Sequence, residues 1–119
     1  MEQFAQQFIQ TFYTTFDTNK FDIINFYQAP STLTFEAWTA TGQEEIMGRL
    51  QTTSFQRTVH QVSSMDCQIV QGSAMVIINV YGRLTIDDDQ PIIFTESFIL
   101  CQAEGNWFIL NDIMKLVQV

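Results

Sequence analysis

Asp87-Asp88-Asp89 sets three carboxylates side by side between the two most apolar strand-like runs of the chain. Adjacent carboxylates repel one another, so a cation that bridges them relieves that repulsion. The plainer reading is a solvated turn, because Asp is a common turn residue. Glu36 ends a strand-like run and would ordinarily be a solvated edge charge. Asp112, between Asn111 and Ile113, is either a cavity acid with a raised pKa or a carboxylate hydrogen-bonded to backbone. His60 is the only histidine, and it reads as a hydrogen-bonded structural residue or as a base without a nucleophile in sequence reach. Asp112 with His60 and one of Tyr13, Tyr27 or Tyr81 would make an acid–base kit if they converged in one pocket. In sequence those candidates are scattered and surrounded by apolar residues. Cys67 and Cys101 form no CxxC or zinc-ligand pattern, and there is no P-loop or Gly-rich phosphate turn. Buried reduced thiols, no metal and no cofactor are the expectations.

The elements that must position these residues show in the hydrophobic spacing. Phe4, Phe8, Phe12 and Phe16 recur every fourth residue beside Ala5, Ile9 and Tyr13, which predicts a helix from about Glu2 to Asp17 with a wide apolar face. Such a face needs a broad apolar surface to lie on, such as a curved sheet. Asp17-Thr18-Asn19 ends the helix, and a second short helix over about Phe21 to Tyr27 stops before Ala29-Pro30. Ser31 to Trp38 alternates like a strand, with Leu33 and Phe35 on one face and Thr34, Glu36 and Trp38 on the other. Trp38 itself reads as lid, interface or surface. Gly42-Gln43-Glu44-Glu45 opens a third helix to about Leu50. Strands follow over about 55–68, 73–86, 91–102 and 106–117, separated by Gln71-Gly72, the aspartates and Glu104-Gly105. The even positions from Ala74 to Ile86 mark a core face. The odd ones (Met75, Ile77, Asn79, Tyr81, Arg83) are half apolar, as on a sheet face that meets another subunit. Helices first and a long antiparallel sheet afterwards is an α+β plan over one domain, residues 1–119.

Composition narrows the function classes. The chain has 119 residues, is 46% hydrophobic and carries only 15% charged residues, enough for one core and too apolar for disorder. Few charges leave apolar surface for a partner or a second copy to cover. The net charge is −8, and the five basic residues are scattered, so nucleic acid is not an expected partner and a basic protein is. Met1-Glu2-Gln3-Phe4 shows no basic region ahead of an apolar run, and no apolar run is long enough for a membrane span. A soluble intracellular chain without membrane contact is expected.

Several stretches, in order and at family-like spacing, resemble the nuclear transport factor 2 family, the small carriers that take GDP-bound Ran into the nucleus. They are Phe16-Asp17 with Asn19-Lys20, Leu33-Thr34-Phe35-Glu36, Phe55-Gln56-Arg57 with His60, Gly82-Arg83-Leu84, the aspartate tip, and Asn111-Asp112-Ile113-Met114-Lys115-Leu116. The register runs from about residue 2 to 117. The resemblance implies a cone, in which a strongly bent antiparallel sheet wraps the long N-terminal helix and two short helices, as in cystatin-like folds. A hydrophobic cavity would lie at its open end, and two copies would pack sheet to sheet. It implies that a phenylalanine of Ran enters the cavity, that Glu36 takes a lysine, and that Asp87 and Asp89 take an arginine while Asp88 points away. Phe35 and His60 would lie near the cavity mouth and the dimer contacts. The family's second partner is the Phe-rich repeats of nucleoporins, bound near an N-terminal aromatic residue. That residue aligns with Met1, and the next aromatic is Phe4. The implied locations are cytoplasm, nuclear envelope with its pores, and nucleus. The same cone also hosts isomerases and dehydratases, and scaffolds of export adaptors that lack the Ran-facing carboxylates.

Overall fold

The phenylalanine stripe finds its apolar floor in the second half of the chain. The computed structural model describes residues 1–117. Helix α1 (Glu2–Thr18) is followed by a 3₁₀-helix (Lys20–Phe26), a hairpin of β1 (Tyr27–Phe35) and β2 (Trp38–Thr41), and helix α2 (Gly42–Leu50). A four-strand meander completes the chain: β3 (Thr58–Ile69), β4 (Val76–Ile86), β5 (Ile92–Ala103) and β6 (Asn106–Val117). The strands form one sheet in the order β2-β1-β6-β5-β4-β3. Phe8 and Phe12 meet the Phe98 ring of β5 edge-on at 5.5 and 5.1 Å, and Tyr13 meets Phe94 at 5.7 Å. The core is this helix face pressed on alternate residues of β4 and β5, with Val76, Ile78, Val80 and Leu84 buried along β4.

The sheet is mixed rather than wholly antiparallel. β1 and β6 run parallel, with Leu33 beside Asp112 and Phe35 beside Met114. Alternation fixes which face a residue takes but not the direction of its neighbour. The chain leaves β2 through α2, starts the meander at the opposite edge, and after three reversals returns in the direction of β1.

Three boundaries differ from the sequence expectation. The second short helix is a 3₁₀-helix capped by the Asn19 side chain, which accepts from the Phe21 N–H at 3.0 Å. β1 starts at Tyr27, and its pairing with β6 shifts across the stretch that holds Ala29-Pro30, where a proline without N–H is tolerated. Ala74 is exposed in the turn before β4 instead of on the core face.

The bend of the sheet has a local cause. The β3–β4 register shifts between Val62 and Ser64, and Gly82 stands opposite Val62. A Cβ at Gly82 would lie 2.2 Å from the Gln61 carbonyl oxygen and 3.0 Å from Phe94 Cε1. A bulge facing a glycine lets the two backbones close together and increases the local twist. Cys67 and Cys101 sit on β3 and β5 with β4 between them, and Cys67 pairs with buried Ile78 while Cys101 is out of phase with buried Leu100. Two strand spacings of ~4.8 Å exceed the reach of a disulfide. No helix among the described residues is long and apolar enough to cross a membrane.

Candidate partner-binding site

At one end of the cone the aromatic side chains converge. Phe35, the last residue of β1, lies 6.1 Å from Phe16 and 6.2 Å from Phe55 in near-parallel stacks, and Trp38 stacks on it at 5.6 Å. Phe35, Trp38 and Phe55 are only partly buried, so they present ring surface at the mouth. Beside them a cleft of about 310 Å³ is lined by Phe16, Asp17, Lys20, Phe21, Phe55 and Thr58 among others.

The mouth is flanked by carboxylates from two turns. Glu36 and Ala37 reverse the chain between β1 and β2, and Glu36 holds the left-handed conformation (φ +53). Its backbone is fixed on both sides, since Glu36 N–H donates to the Met114 carbonyl (3.0 Å) and Lys115 Nζ donates to the Glu36 carbonyl (2.8 Å). The side chain therefore projects from an anchored backbone. Glu36 and Trp38 do not share the outer face as the alternation suggested. The reversal puts Trp38 opposite Phe35 and on the same side.

The aspartates form the β4–β5 turn. Asp87 and Asp88 both have positive φ (+50 and +66), and Asp89 N–H donates to the Ile86 carbonyl at 2.9 Å. Asp tolerates this geometry better than most residues. Asp87 Oδ1 accepts from the N–H groups of Gln56 and Arg57, both at 2.8 Å, which fixes the loop carrying Phe55. Asp88 pairs with the Arg57 guanidinium. Among the described residues the ion pairs are Asp88–Arg57 and Asp17–His60, so Glu36, Asp87 and Asp89 keep carboxylates without a basic partner. Lys20 Nζ donates to the Phe55 carbonyl (2.6 Å) and sits 4.1 Å from the Phe55 ring centre. Burial there pulls the ammonium below its ordinary pKa, and the nearby Asp87 charge offsets part of that.

His60 lies inside. Its side chain is 2% exposed, stacked on Tyr13 at 4.5 Å and edge-on to Phe16 and Phe94. It also lines a cleft shared with Tyr13 and Asp17. Nδ1 and the backbone N–H of His60 bind the two oxygens of Asp17 (2.7 and 2.8 Å), and the Thr58 hydroxyl donates to Asp17 at 2.7 Å. Burial alone would raise the Asp17 pKa, but these hydrogen bonds outweigh it and hold the carboxyl below its usual range. Sequence reasoning missed this pairing, because Asp17 ends a helix and His60 opens a strand 43 residues later.

Of the acid–base candidates, Asp112, Tyr13 and Tyr27 are buried beside a fourth buried polar residue, Glu96. Tyr27 donates to Asp112 Oδ2 at 2.7 Å, and Tyr13 donates to Glu96 Oε1 at 2.9 Å. Asp112 is therefore a tyrosine-bound carboxylate rather than a backbone-bound one. Burial raises its pKa to about 6, with the nearby Glu96 carboxyl and the Tyr27 hydrogen bond holding it down. Burial and then the Asp112 charge lift Glu96 well above the carboxylate range. Both tyrosines are raised well above the phenol range, first by burial. Asp112, Glu96 and Tyr27 line none of four surface clefts, and Tyr81 lies on the outer face, 47% exposed. Tyr13 and His60, by contrast, line an open cleft of about 460 Å³ between α1 and β3. No group of three or more His, Cys, Asp or Glu among the described residues is placed to hold a metal ion.

At the other end of α1, Phe4 is half-buried against Trp107 (4.9 Å), with Met1 52% exposed beside it. The outer sheet face carries Tyr81 and Ile113, each about half exposed, with partly exposed Ile77, Ile93 and Ile99.

With this geometry in view, the likeness to known proteins can be stated. Residues 4–116 match the model of the nuclear transport factor 2 domain. The nuclear transport factor 2 of Davidiella tassiana is 37% identical over 114 residues, covering 95% of this chain and 91% of that protein. The solved structure of nuclear transport factor 2 from Cryptosporidium parvum superposes with a TM-score of 0.89 at 33% identity, covering 98% of this chain and 94% of that one. A chain of a yeast deubiquitinase Ubp3 and Bre5 cofactor complex superposes at 0.87 with 19% identity, covering 100% and 98%, a likeness of fold alone. On the sequence match and the shared cone, the chain belongs to the nuclear transport factor 2 family.

Proposed function

We propose that, within the nuclear transport role that family membership gives it, this chain carries GDP-bound Ran. The observation that supports this most is the unpaired Glu36 carboxylate, one residue from Phe35 in a ring stack whose other flank, Phe55, precedes the Gln56 and Arg57 N–H groups bound by Asp87. An apolar side chain of the cargo would dock on the Phe35–Phe55–Trp38 rings and supply affinity. A lysine on Glu36 and an arginine on Asp87 and Asp89 would fix its register. Asp88, already neutralised by Arg57, takes no part. Selectivity for GDP comes from the shape of the cargo's switch region, since the sequence offers no nucleotide-binding motif of its own.

The half-apolar outer face of β3–β6 serves a homodimer, and Met1 with the Phe4–Trp107 pair serves the Phe-rich repeats of nucleoporins. Flexible Met and exposed aromatic rings suit small apolar repeats. The protein accordingly moves between cytoplasm, nuclear pore and nucleus. An immobilised chain offered cytosol with excess GDP or excess GTP tests the cargo assignment. It should retain Ran with GDP and release it with GTP. Equal retention in both, or none in either, would remove the assignment.

A further inference from the structure

The inner wall of the cone holds one polar atom that the rest of the structure leaves without a partner. Among the described residues, Asp112 Oδ1 is the buried side-chain oxygen or nitrogen with no hydrogen bond. Its sister oxygen takes the Tyr27 hydroxyl. An unpaired buried acceptor is costly and calls for a donor. Phe98 pairs with Asp112 and Glu96 with Met114 across β5 and β6, so Glu96 and Asp112 point to the same inner face as diagonal neighbours. Both residues are almost wholly buried there, Glu96 at 4% and Asp112 at 1% exposed.

We infer that Glu96 and Asp112 share a single proton, carried by Glu96 and donated to Asp112 Oδ1, so that the folded protein holds a neutral carboxylic acid at neutral pH. Every side facing the pair supports this. α1 contributes the Tyr13 hydroxyl and, beyond it, Asp17 already satisfied by His60 of β3. β1 contributes the Tyr27 hydroxyl, and β4 contributes Val80, the register partner of Glu96. Among the described residues no Lys or Arg is paired with the site. Lys20 is bound to Phe55, Arg57 to Asp88 and Lys115 to Glu36, while Arg49 and Arg83 are exposed. Two buried anions with no counter-charge do not coexist, and one stays protonated. Tyr13 and Tyr27 each donate one bond, and the acid proton fills the remaining acceptor. The pair thereby ties α1 and β1 to the floor of the sheet, whatever cargo the mouth takes.

Raised pKa values make this tie pH-dependent in a defined direction. A carboxyl whose folded pKa is raised contributes most below its unfolded value and loses that contribution as pH rises through the folded one. Asp112 loses that contribution as pH rises through about 6. Above that window the Glu96 proton remains, and each pH unit lowers the folding equilibrium constant up to about tenfold until Glu96 itself ionises.

Infrared spectroscopy of the folded wild type at about pH 7.5 should show the carbonyl band of a protonated carboxylic acid, and Glu96→Gln should abolish it. Urea unfolding between about pH 7 and 9 should show wild type losing stability relative to Glu96→Gln by up to about tenfold in the equilibrium constant per pH unit. The Gln amide can donate the same hydrogen bond to Asp112 Oδ1 without a proton to lose. Absence of the acid band from folded wild type would overturn the inference, as would parallel pH profiles for the two proteins. Should Glu96→Gln fail to fold, the wild-type spectrum alone decides the question.

Discussion

Glu36 holds a conformation its own β-carbon disfavours (φ +53), and no basic side chain pairs with its carboxylate. A strained position whose carboxylate has no basic partner within the chain suits the proposed role in binding a partner. Glu36→Gly should therefore leave the protein within about 1 kcal/mol of wild type, on the stable side, while removing Ran-GDP binding. Chemical denaturation beside a pull-down checks both halves, and a destabilised variant would mean that the side chain serves the fold. Asp17 behaves in the opposite way. Its folded pKa is lowered, so its contribution is present above the unfolded value near 3.8 and lost as pH falls through the folded one. Asp17→Asn should lower stability at neutral pH and flatten the acid limb of a plot of Tm against pH. Equal acid limbs for the two proteins would contradict the hydrogen-bond account. At this scale the sequence revealed the exposed carboxylates, because Asp-rich turns and matched segments are local. It concealed the Asp17–His60 pair, which the fold alone assembles. Glu96 left a signal that was readable: it stands in phase with Phe94, Phe98 and Leu100, an acid on the inner face of a strand.

At the scale of elements, the bend that lets the sheet wrap α1 rests on Gly82. Gly82→Ala would drive a methyl group to within 2.2 Å of backbone on β3, where no side chain can move aside. The expected loss is about 1–3 kcal/mol or more, read from urea unfolding, and an unchanged midpoint would mean that the bulge can open freely. Helix α1 and the four meander strands were legible, because period-four phenylalanines and alternating β-branched residues leave little ambiguity. The β1–β2 reversal was not. Ser31 to Trp38 keeps its alternation straight through the turn at Glu36-Ala37, with no Gly or Pro to announce it. The parallel β1–β6 pairing was hidden for a different reason, since it is set by the route of the chain between edges and not by any residue pattern.

For the whole molecule, a half-apolar outer face and a net charge of −8 suit the two contact surfaces proposed above. The wild type should sediment at twice the 13.8 kDa chain mass. Ile113→Asp, at an exposed position that adds little to the core, should shift it to the monomer with the fold intact. A monomeric wild type would leave the outer face to another partner. The acidic mouth makes the more central claim. Calorimetric titration of Ran, loaded with GDP and separately with GTP, into wild type and Glu36→Lys tests it most directly. The account predicts binding of the GDP form alone, weakened by about 2–5 kcal/mol when the charge at position 36 is reversed. Binding that ignores the nucleotide, or that survives Glu36→Lys unchanged, would contradict it.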